Sequence, residues 1–200
     1  MIARALSQIG VSRGGGKVEV DQVRPLISYG VEALVSTTLG SVENCLADDI
    51  VEFRSVLRQF AAKPEWLYPD VVTALAALST AGFASAVVTN KPEVMSRRLL
   101  KELDLDRYFE VIVGGDTVAT MKPDSAPVLH ALGLLKSEVQ QAIFIGDSAA
   151  DAAAAASLSI PFILHAGGYD SFNCAEFPIA GSFHDYSELP EICIRLGTAG

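Results

Sequence analysis

Ala142-Ile143-Phe144-Ile145-Gly146-Asp147-Ser148-Ala149-Ala150-Asp151 is the stretch on which the reading of this chain turns. Residues 142–145 are an unbroken apolar run, too short for a helix and closed by a glycine. Such a run predicts a strand buried on both faces. Two carboxylates follow. Asp147 stands at the end of the run, and Asp151 stands in the first turn of an alanine-rich stretch, 149–158, that predicts a helix.

The same grammar repeats outward in both directions. Short apolar runs at 84–89, 111–115 and 161–166 predict further strands, and amphipathic or apolar stretches at 69–81, 92–103 and 126–135 predict the helices between them. Continuous apolar strands alternating with helices predict an α/β domain, a Rossmann-like parallel sheet covered on both faces, over residues 67–200. Ligands in such sheets bind beyond the carboxyl ends of the strands. Residues 1–66 carry no strand signal. Helical periodicity there predicts segments at 1–9, 20–39 (interrupted near residues 28–30) and 50–60, and hence a separate all-helical domain.

Composition narrows the function. The chain has 200 residues, is 50% hydrophobic and carries a formal net charge of −9, a balance that argues against nucleic acid as a partner, because phosphate backbones demand Lys and Arg. No uninterrupted apolar run reaches the ~20 residues of a membrane span, and the first residues lack a signal-peptide pattern. Cys45, Cys174 and Cys193 are odd in number and lack metal-type spacing. They read as ordinary thiols of a reducing compartment, so a cytoplasmic location is expected.

The strand ends carry the candidate chemistry. The first run ends in Thr89-Asn90-Lys91. The Thr89 hydroxyl and the amides that open the following helix suit an anion, although such residues also simply close strands and turns. Lys122, in Met121-Lys122-Pro123-Asp124, is a compact positive charge suited to a phosphoryl oxygen, or a solvated loop lysine. Asp147 and Asp151 suit Mg²⁺ ligation through one or two carboxylates and waters. Capping of the following helix is the competing role, stronger for Asp151 than for Asp147. Taken together, a hydroxyl, a cation and an acid pair at three strand ends of one sheet predict a phosphoryl-transfer site.

This ordered set resembles the haloacid dehalogenase superfamily. Val87-Val88-Thr89-Asn90-Lys91-Pro92 looks like its second motif, Lys122-Pro123 like its third, and Gly146-Asp147-Ser148-Ala149-Ala150-Asp151 like its fourth. Val113-Gly114-Gly115-Asp116 and Gly167-Gly168-Tyr169 are similar to phosphoglycolate phosphatases in particular, and the helical segment 1–66 resembles the family's cap. The resemblance implies Mg²⁺-dependent hydrolysis of a small phosphorylated metabolite, 2-phosphoglycolate or a similar ester. It also implies site roles. Thr89 and Asn90 would hold the phosphoryl group, Lys122 would neutralise it, and Asp147 would ligate Mg²⁺ with Asp151 in support.

One departure stands out. The family's first motif, D-x-D-G-T at the end of a strand that precedes the cap, has no match here. That motif supplies the nucleophile, the general acid and a metal ligand. The chain as given is therefore expected to be inactive and to represent a shortened reading of a longer protein, with a non-catalytic binding remnant as the alternative. A true haloacid dehalogenase, which needs no Mg²⁺, would also require the missing aspartate. Because the family's missing strand lies in mid-sheet, its two neighbours are expected to lack a pairing partner there, at a cost of about 1–3 kcal/mol for each buried backbone group left unpaired.

Overall fold

Two compact units make up the chain, Met1–Ala61 and Ala62–Gly200, in a computed structural model that describes residues 1–41 and 45–197, without the Ser28 side chain. The first unit is helical. Its elements are α1 (Ile2–Ser12), α2 (Val20–Val23), a 3₁₀ turn over Arg24–Tyr29, α3 (Val31–Leu39) and α4 (Leu46–Leu57). The helical stretch expected over 20–39, with an interruption near 28–30, is three pieces. Pro25 opens the 3₁₀ turn, and Gly30, at φ 92°, sits between that turn and α3 in a conformation closed to most other residues.

The core of this unit is built from Leu6, Ile9, Val23, Leu34, Val35, Phe53 and Leu57. A polar clasp joins α1 to α4. Arg13 Nη2 donates to Asp49 Oδ1 at 2.6 Å and to Glu52, and the Ser41 hydroxyl donates to Asp49 Oδ2. The Arg13 guanidinium, and then Ser41, hold the buried Asp49 carboxyl below its ordinary range.

The second unit alternates strands and helices: α5 (Val71–Thr80), β1 (Ala86–Val88), α6 (Glu93–Glu102), β2 (Val111–Val113), α7 (Ala126–Leu135), β3 (Phe144–Gly146), α8 (Ala149–Ser157), β4 (Phe162–His165), β5 (Gly181–Phe183) and α9 (Leu189–Gly197). Every strand pair is parallel. The four expected strands are present but shorter than their apolar runs. The fifth strand, β5, and helix α9 were not anticipated, because Gly181-Ser182-Phe183 carries too little apolar signal to read as a strand.

The larger difference is in pairing. One sheet was expected, and two are found: β1 with β2, and β3 with β4 and β5. β2 and β4 are buried along their whole length. β1 and β3 are only partly buried, and Ile145 in the middle of β3 is 38% exposed. Yet both belong to one hydrophobic layer. Val88 of β1 and Phe144 of β3 pack against the same cluster of Val128, Leu132, Phe162 and Leu164.

Ile145 and its register partner Ile163 make a direct test of this asymmetry. Ile163 is fully buried, so Ile163→Val is expected to cost about 0.5–1.5 kcal/mol. The same change at Ile145 is expected to cost less than half as much. Urea denaturation of both variants gives the comparison. A second expectation concerns acid. Asp49's folded-state pKa is lowered, so its stabilisation is present above the unfolded-state value near about 4 and is lost as pH falls toward the lowered one. Melting temperature followed from pH 6 to pH 2 is expected to show a flatter acid limb in Asp49→Asn.

Candidate active site

Lys122 sits in the loop between β2 and α7, and its ammonium is the hub of the site. Nζ donates to Val88 O at 2.6 Å and to Asp151 Oδ1 at 2.5 Å, and it lies 5.6 Å from the centre of the Phe144 ring. Both partners of the ion pair are buried, at 10% and 8% side-chain exposure. Lys122 is therefore not the solvated loop lysine of the bland reading. It links the carboxyl end of β1 to the turn after β3.

The loop that carries it is clasped by Asn90. The Asn90 side chain donates Nδ2–H to Lys122 O at 2.9 Å and accepts the Lys122 N–H on Oδ1 at 3.0 Å. Asn90 was a candidate phosphate ligand, and in this structure both ends of its amide hold the Lys122 backbone. Gly115 makes the approach possible, since a Cβ there would lie 2.4 Å from Asn90 O. Thr89 donates its N–H to Val113 O and accepts the Lys91 N–H on Oγ1. Lys91, passed over as part of the turn, is desolvated, and burial alone pulls its ammonium below the ordinary range.

The acid pair splits into two roles. Asp151 is buried at the start of α8, where Ser148 is the N-cap. Its Oδ2 accepts from the N–H groups of Asp147 and Ser148, both at 3.2 Å, and from Ser148 Oγ at 2.7 Å, while Oδ1 takes Lys122. Both carboxylate oxygens are committed within the protein. Asp147 differs. Its Oδ2 accepts the Tyr169 N–H at 2.8 Å and its carbonyl accepts the Asp170 N–H. Burial, above all, pushes its carboxyl above the usual range, with Asp151 adding to the effect against the opposing Tyr169 bond.

Sequence reasoning missed the Gly167–Asp170 loop as the wall against which Asp147 rests. A Cβ on Gly168 would fall 2.1 Å from Asp147 Cβ, so only glycine lets the loop come this close. Also missed was His165 at the end of β4. It is 3% exposed, sits among the rings of Tyr68, Phe183 and Tyr186 at 4.7–5.0 Å, and its Nε2 has no hydrogen-bond partner among the described residues. Desolvation pulls its pKa down. A histidine closing an apolar strand carries no sequence signal beyond its position. Buried Cys174 and Cys193, whose thiols burial pushes up to about 11, are inert at neutral pH.

Among the described residues no group of three or more His, Cys, Asp and Glu side chains could enclose a metal ion. Asp147 nevertheless suits Mg²⁺, which takes one or two carboxylates and completes its shell with waters and phosphate oxygens. Asp151 suits the second tier, fixing Lys122 and the turn that presents Asp147.

The haloacid dehalogenase-like hydrolase family model matches residues 1–165. The chain belongs to this family. It is 33% identical over 187 residues to the phosphoglycolate phosphatase of Rhodobacter capsulatus, covering 90% of this chain and 84% of that protein. It is 35% identical over 173 residues to the phosphoglycolate phosphatase of Aquifex aeolicus, covering 86% of this chain and 80% of the relative. Two crystal structures share the family fold. One is of a protein from Haemophilus somnus 129PT titled a predicted phosphoglycolate phosphatase (TM-score 0.84, 24% identity, 96% of this chain and 89% of that one). The other is CbbY from Rhodobacter sphaeroides in complex with phosphate (TM-score 0.76, 21% identity, 94% and 88%). As a family member the chain has the α/β Rossmann-like class expected of it, and among its described residues no helix is long and apolar enough to cross a membrane.

Two substitutions probe this geometry. Lys122→Met leaves Asp151 buried without its counter-ion, and a loss of about 3–5 kcal/mol in urea denaturation is expected. Gly168→Ala forces Asp147 and its loop apart and is expected to cost about 1–3 kcal/mol in the same assay.

Proposed function

We propose that this chain carries the phosphate- and Mg²⁺-holding part of a phosphatase for small phosphate monoesters, 2-phosphoglycolate foremost. The observation that carries the reading is the Lys122 ammonium fixed between Val88 O and Asp151, beside an Asp147 carboxylate that accepts the Tyr169 N–H. The names of the curated relatives support the substrate class.

In this reading the Thr89 hydroxyl donates to a phosphoryl oxygen and Lys122 neutralises its charge. Asp147 ligates Mg²⁺, and Asp151 holds Lys122 in place. Mg²⁺, when bound, adds positive charge beside the phosphoryl oxygens. The helical unit 1–61 takes the cap's role of choosing the substrate. Without a D-x-D-G-T aspartate in its sequence the chain has no family-type nucleophile, and the covalent route lacks its first step. It binds and does not turn over. A dehalogenase would bind without metal.

Calorimetric titration of the 200-residue chain with inorganic phosphate, with and without Mg²⁺, tests this. Phosphate binding that strengthens with Mg²⁺ is expected, weakened at least about 10-fold in Asp147→Asn, with no phosphate released from 2-phosphoglycolate. Binding indifferent to Mg²⁺ and to Asp147 would remove the metal assignment. Mg²⁺-dependent release of phosphate, lost in Lys122→Met, would show that a nucleophile lies within these residues.

A further inference from the structure

Asp170, which closes the Gly167–Asp170 loop, carries a carboxylate that the site as described does not use. It is buried, at 6% exposure. Its Oδ1 accepts Asn173 Nδ2–H at 2.5 Å, and its Oδ2 has no hydrogen-bond partner among the described residues. A buried carboxylate oxygen is costly unless a donor, an ordered water or a cation meets it.

The loop staples Asp170 to Asp147. Two successive amides grip the same residue: Tyr169 N–H donates to Asp147 Oδ2 at 2.8 Å, and Asp170 N–H donates to the Asp147 carbonyl at 3.2 Å. Cys174 Sγ lies 3.8 Å from Asp170 O and registers the result. Burial first, and then the carboxylates of Asp151, Asp170 and Asp147, push its thiol up. Three acids thus share one neighbourhood. Their charges are not balanced. Asp151 is paired with Lys122, and both its oxygens are filled. Lys122 has the smallest effect of the groups that act on Asp147. Burial favours the neutral form of His165. Asp147 and Asp170 are left with no counter-charge of their own among the described residues, and their summed charge matches a divalent cation.

We infer that Asp170 is the second carboxylate of the Mg²⁺ shell, beside Asp147. Its Oδ2 is the atom left for the ion or for one of the ion's waters. The part of partner acid passes from Asp151, which the sequence pattern favours, to a residue 23 positions beyond Asp147 that the loop brings back to it. Two carboxylates with waters and phosphate oxygens are the set that Mg²⁺ takes, so no cage of three acids is required. The inference rests on the reading of Asp147 as a Mg²⁺ ligand.

Calorimetric titration of the intact 200-residue chain with Mg²⁺ alone tests it, together with melting temperatures with and without the ion. Asp170→Asn keeps an oxygen for Asn173 and every backbone bond, and removes the charge. It is expected to weaken Mg²⁺ binding at least about 10-fold. Because it removes an unpaired buried charge, it is expected not to lower the melting temperature of the metal-free chain, while the rise on adding Mg²⁺ shrinks. Asn173→Ala removes the partner of Oδ1 and is expected to leave Mg²⁺ affinity unchanged. The wild-type chain gives a readout that needs no substitution: the side-chain carboxyl ¹³C resonances of Asp147 and Asp170 are expected to shift on adding Mg²⁺, and that of Asp151 to stay. Unchanged affinity in Asp170→Asn while Asp147→Asn abolishes binding overturns the inference and leaves the Asp147 reading intact. So does an Asp170 resonance that stays while that of Asp147 moves, or an equal loss of affinity in Asp170→Asn and Asn173→Ala, which would make Asp170 a support of its own turn only. No Mg²⁺ binding by the wild-type chain overturns both.

Discussion

The Lys122 ammonium, almost wholly out of water, is shared between a strand carbonyl and a helix-capping carboxylate, and the arrangement of the second unit hangs on that placement. A buried charge of this kind is tolerated only when it is paired and its hydrogen bonds are filled. The pairing draws in much else. Asp151 must sit at the start of α8 to meet Lys122, Ser148 must cap that helix to hold Asp151, and Asn90 must hold the lysine's backbone so that the side chain reaches Val88. Five residues from three chain segments are thereby fixed by a single charge. If Lys122 neutralises a phosphoryl group as proposed, this network holds its ammonium in register beforehand.

The network also explains why the two carboxylates of one short motif behave differently. Asp151 faces inward and is saturated with donors, one of them cationic. Asp147, four residues earlier, faces the Gly167–Asp170 loop and takes a single backbone N–H on its side chain. Burial, above all, makes its ionisation costly, against a partial offset from Lys122, and a divalent cation would relieve that cost directly. The two acids lie four residues apart, and the difference between them comes from what each accepts rather than from residue type.

Much of this was legible in the sequence, for identifiable reasons. Apolar runs such as Phe162–Leu164 and helices such as Ala126–Leu135 are dictated by periodicity alone, and Thr89, Lys122, Asp147 and Asp151 are conspicuous because polar groups directly follow apolar strands. What could not be read depends on contacts distant in sequence. Asn90 reads as a candidate phosphate ligand, and nothing in its neighbourhood tells that its amide also spans 32 residues to the Lys122 backbone. Gly168 is one glycine among 16 until Asp147 is placed against it. β5 is invisible because a strand of Gly181-Ser182-Phe183 derives its order from pairing with β4, not from its own propensity.

The divided sheet gives the same principle its strongest form. Nothing within Ala86–Val88 or Phe144–Gly146 marks either as a strand open on one side, since both read as interior strands and carry the apolar residues of interior strands. Their sequences ask for two neighbours each, and among the described residues each has one. Local pattern and realised pairing therefore disagree at this place among the described residues. Natural sequences keep such levels consistent wherever folding alone is at stake. Here the conflict lies beside the Lys122 hub, whose ammonium takes up the Val88 carbonyl on the edge of β1 that faces away from β2.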